Sequence, residues 1–186
     1  MNIVSIFVKP ATEKCHLWAA QYEQDVDSKG RPLDIFRKLF RLWTNTEYLL
    51  AFFKEHEQDL LTGYKGMSID QAIETVEDEA YAFEAELKVM EKNGDSFSDV
   101  FHQLHKNEFV LKKENELLRK ARPVGHNTML RLYAVELEGG CYVISGGAIK
   151  LRDKMDNTYL KGELSRVNMV RDYLEQQGII SVEGLL

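Results

Sequence analysis

The order of apolar and polar positions divides the chain into a short β-rich start, a long helical middle, and a β-hairpin followed by a helix. Ile3–Lys9 (IVSIFVK) and His16–Tyr22 (HLWAAQY) are rich in β-branched and aromatic residues and predict two strands, with Pro10–Lys14 as their connection. The polar stretch Asp25–Pro32, punctuated by Gly30 and Pro32, predicts a turn. From Leu33 the period becomes helical. Leu33, Phe36, Phe40 and Trp43 share one face, and Asn45 suits an N-cap before Tyr48, Leu49, Phe52, Phe53, His56 and Leu60. Ser68 caps a third helix whose stripe is Ile69, Ile73, Val76, Ala80, Phe83, Leu87 and Met90, ended by Asn93-Gly94. Helical spacing alone accounts for these aromatics as core.

Phe97–Lys120 is mixed in character and predicts helix in two pieces, broken by Pro123 and Gly125. The strongest strand signals are Met129–Leu137 (MLRLYAVEL) and Cys141–Ile149 (CYVISGGAI), joined at Gly139-Gly140, a pair suited to the positive φ angles of a tight hairpin. Tyr159–Gln177 is an amphipathic helix with Leu160, Leu164, Val167, Val170 and Leu174 inward, stopped by Gly178. Together these elements predict an α+β fold: a small antiparallel sheet with helices packed on one face. It forms a single domain over 1–186, mainly helical from about 33 to 120, with the hairpin and C-terminal helix over 129–177.

A two-residue turn at Gly139-Gly140 sets the expected hairpin register. Glu138 then faces Cys141, Val135 faces Ile144, Tyr133 faces Gly146 and Arg131 faces Ala148. Alternation places Arg131, Tyr133 and Lys150 on one face, joined by Arg152 if the strand continues. The other face carries Leu130, Leu132, Ala134, Val143, Ile149 and Leu151, a core face. Gly146 and Ala148 leave an open floor beneath Tyr133 and Arg131. A bulge at Gly146-Gly147 would instead move Lys150 to the opposite face.

Charge sharpens this picture. The net charge is −6, but Lys106–Arg166 holds twelve Lys/Arg against eight Asp/Glu, leaving twelve against twenty-two elsewhere. The acids concentrate in Asp70–Asp95, with nine acids and two lysines. A basic, one-sided face with an aromatic suits a phosphodiester backbone, because guanidinium groups bind phosphate bidentately and tyrosine stacks on bases. The plain alternative is a solvated sheet face.

Other chemistry is thin. His102-Gln-Leu-His105 with Glu108 is an incomplete metal set, and no P-loop, dinucleotide glycine motif or nucleophile elbow is present. No metal or cofactor is expected. Cys141 has no evident base and suits a buried apolar position. The two cysteines, Cys15 and Cys141, make no secreted disulfide framework, although one bridge between them is open. With no apolar run near the roughly 20 residues of a membrane span, the expectation is a cytoplasmic protein with no membrane contact.

The order RLYAVEL, turn, CYVISGGAIKLRDKM and helix resembles the C-terminal half of RelE/HigB-type toxins, the ribosome-dependent mRNA interferases. Arg131 sits at that family's strand arginine, and Gly147-Ala-Ile-Lys150-Leu-Arg152-Asp-Lys154 at its lysine-rich strand end. Lys112, Lys113, Lys120 and Arg122 lie where such toxins carry further basic residues. The resemblance covers about 70 residues, with Leu151, Asp156 and Ala148 departing from the family's pattern and a longer, more acidic N-terminal half. It implies a RelE-like core with a helical insertion, and a metal-independent endoribonuclease cleaving mRNA on the ribosome, partnered by a cognate helix-turn-helix antitoxin. The implied mechanism is attack of a ribose 2′-OH on the adjacent phosphate. Arg131 and Arg152 then stabilise phosphate charge, Lys150 transfers a proton or stabilises charge, and Lys154, Lys120 and Arg122 bind substrate, with Tyr133 stacking on a base. Two other readings stay open: a non-catalytic interaction protein using the same face, and a small-molecule domain with a cleft between the N-terminal helices and the sheet.

Overall fold

The computed structural model describes residues 1–8, 16–103, 118–124, 128–152 and 158–186. Within them the chain is α+β. The strands are β1 (Asn2–Ser5), β2 (Leu17–Gln21), β3 (His102–Gln103), β4 (Leu118–Ala121), β5 (Leu130–Leu137) and β6 (Cys141–Ile149). The helices are α1 (Ile35–Trp43), α2 (Thr46–Glu55), α3 (Glu57–Gly63), α4 (Ile69–Asn93) and α5 (Thr158–Gln176). One sheet runs in the order β1-β2-β6-β5-β4-β3. Its pairs are antiparallel except β2 with β6, which run parallel. Parallel neighbours need a long crossover; here the helices and the β3–β5 meander supply it. No helix of the described residues is long and apolar enough to cross a membrane.

Local chemistry sets the helix starts. Asp34 accepts from the Arg37 N–H at 2.8 Å, and Asn45 accepts from the Tyr48 N–H at 2.8 Å. Ser68 and Gln71 form a reciprocal capping box, satisfying two N–H groups that a helix cannot satisfy itself. Gly94, at φ 72°, ends α4 in a left-handed conformation. The apolar stripe of α4 (Ile73, Val76, Ala80, Phe83, Leu87) is buried, and Phe40 of α1 packs on both Trp43 and Phe83.

Successive residues of β6 show what lies on each side of the sheet. A methyl group added at Gly147 would sit 2.8 Å from Leu39 Cδ1 and 2.9 Å from Trp43 Cη2, both on α1. One added at Gly146 would sit 2.7 Å from Glu163 Oε2 on α5. The helical layer containing α1 and α4 therefore backs one face of the hairpin and α5 lies across the other, so all nine residues of β6 are buried. After α5 the chain returns to the hairpin end, where the Glu138 N–H donates to Ile180 O at 2.8 Å.

Leu118–Ala121, expected to be helical, is a strand. Its four residues align with Leu132–Val135 of β5, and four residues can extend an existing ladder but cannot sustain an isolated helix. Phe97–Asp99 is one turn of 3₁₀ helix; His102–Gln103, also expected to be helical, pairs with β4 as a strand, and 104–117 lies outside the described residues.

Two glycines test this packing in opposite directions. Gly147→Ala is expected to lower unfolding free energy by about 1–3 kcal/mol, since the methyl meets α1 side chains and the Arg131 carbonyl. Gly162→Ala, in an exposed turn of α5 with open space around it, is expected to raise it by about 0.5–1 kcal/mol. Urea denaturation of both variants checks the pair.

Candidate functional site

The hairpin register differs from expectation at two points that offset each other. The loop has three residues, Glu138-Gly139-Gly140, with φ 80° and 73° at the glycines, so Leu137 rather than Glu138 faces Cys141. Val135 accordingly faces Val143 rather than Ile144. Ser145 is then an extra residue in β6, a bulge between the pairs Ala134–Ile144 and Tyr133–Gly146. The bulge restores the expected pairs Tyr133–Gly146 and Arg131–Ala148. It also moves Val143 to the Arg131 face and puts Ile144 on the face of Leu130, Leu132 and Ala134. Because the bulge precedes Gly146, alternation keeps Lys150 in register with Gly146 and Ala148, and its N–H donates to Met129 O at 2.7 Å.

The shared face is real, but it is not the open floor expected. Tyr133 is 3% exposed and Arg131 8%: α5 lies over Gly146, the partner of Tyr133, and Tyr64 and Glu79 lie near Arg131. Arg131 turns its guanidinium to the backbone: Nη1 donates to Thr128 O at 2.7 Å, Leu130 O at 2.6 Å and Thr128 Oγ1 at 3.2 Å. As placed, Tyr133 has no exposed ring face for a base, and one Arg131 nitrogen, Nη1, is committed to Thr128 and Leu130 oxygens. Burial lowers the Arg131 pKa, opposed by Tyr133, Tyr64 and Glu79 and reinforced by Arg122. An arginine remains charged throughout.

Around Arg131 the register collects further cations. Lys120 pairs with Tyr133, and Arg122 follows β4 beside Arg131. Lys150 follows β6 two residues after Ala148. Lys120 and Lys150 are partly buried, and Arg122 is exposed. Arg152, also exposed, is held by Asp59 of α3 at 2.8 Å. Lys154 lies outside the described residues, as do Lys112 and Lys113. Four of the seven expected residues (Lys120, Arg122, Arg131 and Lys150) thus gather at one end of β4, β5 and β6, with Tyr133 buried beneath and Arg152 at the rim. His102 is exposed on β3; His105 and Glu108 lie outside the described residues. Among the described residues no three His, Cys, Asp or Glu side chains gather as a metal set. Cys141 is buried in β6, as expected of an apolar position.

Sequence patterning missed three glutamates that accept from strand N–H groups, Glu91 and Glu163 buried and Glu79 half-buried. Glu79 of α4 accepts from the N–H groups of Met129, at 2.8 Å, and Leu130, at 3.0 Å, where β5 begins. Glu91, twelve residues later on α4, accepts from His16 at 2.9 Å and Leu17 at 3.4 Å, where β2 begins. Glu163 of α5 accepts from Gly147 N–H at 3.2 Å and from Arg166 at 2.8 Å. Burial raises the pKa of each, partly offset by these same N–H and cationic partners. The available signal was positional. Glu91 is four residues beyond Leu87, and Glu163 four before Val167, so both fall on buried stripes. A second missed group is Arg119, paired with Glu136, which also accepts from Tyr142 Oη at 3.0 Å.

A scan of the chain against protein-family models matches none, and searches of curated proteins and of solved structures return no significant match.

The raised carboxylates give stability a definite pH dependence. A carboxyl whose folded pKa lies above its unfolded value takes up a proton on folding, so its contribution falls as pH rises through that interval. Glu163→Gln is therefore expected to gain on the wild type as pH increases from the ordinary carboxylate range toward neutrality. Urea midpoints of the two proteins across that range check it; a difference independent of pH contradicts the assignment.

Proposed function

We propose that the chain is an RNA-directed protein of the RelE/HigB type, a metal-independent endoribonuclease that cleaves mRNA on the ribosome and is restrained by a helix-turn-helix antitoxin. The observation that supports it is the gathering of Lys120, Arg122, Lys150 and Arg152 around the ends of β4–β6, in a chain whose net charge is −6. A phosphodiester backbone is a ligand that such a concentration of cations selects from an otherwise acidic surface.

In this reading the ribose 2′-oxygen forms a bond to the adjacent phosphorus and the bond from phosphorus to the 5′-oxygen breaks. A base takes the 2′ proton and an acid returns one to the leaving oxygen. Lys150 is the candidate for proton exchange. Arg152, released from Asp59, and Arg122 hold the phosphate oxygens as negative charge builds, and Lys120 and Lys154 bind the flanking backbone. Arg131 contributes by fixing the start of β5 and by its charge. The departures at Ala148 and Leu151 fall at the same strand end; Asp156 lies outside the described residues.

The burial of Arg131 favours a second reading, in which the same surface binds a partner without cutting RNA. Induced expression in bacteria separates the two. The nuclease reading expects growth arrest that Lys150→Ala relieves while the protein stays folded and soluble, and cleavage that persists in EDTA. Normal growth at confirmed soluble expression, with binding retained, favours the interaction protein.

Binding itself has a measurable signature. Affinity for single-stranded RNA is expected to fall with salt at a slope of roughly −0.7 per phosphate neutralised, about −2 to −3 for three or four cations. The double change Arg122→Ala, Arg152→Ala is expected to make the slope shallower by about 1.4. Replacing Lys29 and Lys54, exposed but elsewhere, leaves it unchanged. Fluorescence anisotropy across a salt series, with and without ribosomes, checks this; equal effects from both pairs reduce the surface to a solvated sheet end.

A further inference from the structure

The acidic helix α4 has a second face, opposite its buried stripe, with its own order. Glu74, Asp78, Tyr81, Ala85, Lys88 and Lys92 are all exposed, and Tyr81 keeps 63% of its surface. Their spacing alternates four and three residues, the spacing of a two-helix seam. At 100° per residue all six lie within an arc of about 80°. Val89, also exposed at 54%, flanks this face.

The chemistry along the seam is graded: two acids lie toward the N-terminal half, an aromatic and a small residue in the centre, and two lysines toward the C-terminal end. Turned end for end about its midpoint at Phe83, the pattern complements itself. Glu74 meets Lys92, Asp78 meets Lys88, and Tyr81 meets Ala85, a large side chain against a small one. A parallel arrangement would instead set acid against acid and lysine against lysine. Among the described residues no hydrogen bond or ion pair engages the four charged side chains of this seam, whereas the half-buried Glu77 beside it accepts from Thr46 Oγ1 at 2.8 Å.

We infer that α4 is a self-association surface, on which a second copy of this chain docks its own α4 antiparallel about a twofold axis. The symmetry doubles each contact, giving four ion pairs around two Tyr81–Ala85 contacts. The order of charges selects the antiparallel register, as charges beside a helix–helix seam commonly do. The surface is on the side of the helical layer away from the sheet, so the pairing leaves the cationic strand ends uncovered and does not depend on what they bind.

The test uses the full chain. Sedimentation velocity across a concentration series is expected to show a monomer–dimer equilibrium that shifts toward monomer as salt rises. The double reversal Glu74→Lys, Asp78→Lys makes the seam uniformly basic, and Lys88→Glu, Lys92→Glu makes it uniformly acidic. Each is expected to weaken self-association at least about tenfold, since several surface pairs change from attractive to repulsive. Mixing the two variants restores a dimer containing one copy of each. All four positions are exposed, so circular dichroism is expected to show both variants folded. A wild type that sediments as a monomer throughout, a dimer indifferent to either reversal, or a mixture that fails to reassociate each overturns the inference.

Discussion

Carboxylates that reach from helices to strand N–H groups tie the two layers of this molecule together. Glu79 and Glu91 lie on one helix, roughly 18 Å apart along its axis, and hold the beginnings of β5 and β2. These strands are not neighbours; β6 runs between them. One helix thus fixes the lateral spacing of three strands by two side-chain contacts. A buried N–H without a partner is strongly disfavoured, so these contacts oppose sliding of α4 along the sheet more effectively than an apolar stripe would. The raised pKa values are the counterpart of that placement, because a carboxylate used this way gives up solvation.

The same logic governs the hairpin. Its cationic face is shaped by α5, which brings Glu163 over Gly146 and closes the side of the sheet that carries Tyr133 and Arg131. Arg131 directs Nη1 to the Thr128 and Leu130 carbonyls, anchoring the start of the strand whose first N–H groups Glu79 already holds. Acid and guanidinium act on the same few residues from different elements. What remains for a ligand is the margin: Arg122, Arg152, and the ends of β4 and β6.

Helix starts were legible because their determinants are local, although the helix expected from Tyr48 through Leu60 breaks at His56 into α2 and α3. Asn45, Ser68 and Gly94 act within four residues of where they stand, and the periodic stripe of α4 needs no partner to be recognised. The pairs Tyr133–Gly146 and Arg131–Ala148 were legible only through the offset of a longer loop by the bulge at Ser145, so Val143 and Ile144 between them were assigned to the wrong faces. Openness was not legible at all. Whether Tyr133 sees water depends on α5, whose Glu163 is thirty residues downstream, and no pattern within the hairpin encodes what lies above it. The buried glutamates were hidden for a related reason: a charged residue on an apolar stripe looks like a solvated edge until a strand end arrives beneath it.

The bulge has a further consequence for how this sheet meets other chains. β2 aligns with β6 only over Tyr142–Ile144; beyond that point, among the described residues, one border of β6 has no strand beside it. An uncovered border of this kind is a template for unwanted strand addition. Here it is closed by side chains: Tyr22 donates to Ser145 O at 2.7 Å, and Glu163 accepts from Gly147 N–H at 3.2 Å. The molecule's resistance to aggregation at this border therefore rests on a phenol and a carboxylate, and is only as durable as the seating of the helix that carries Glu163.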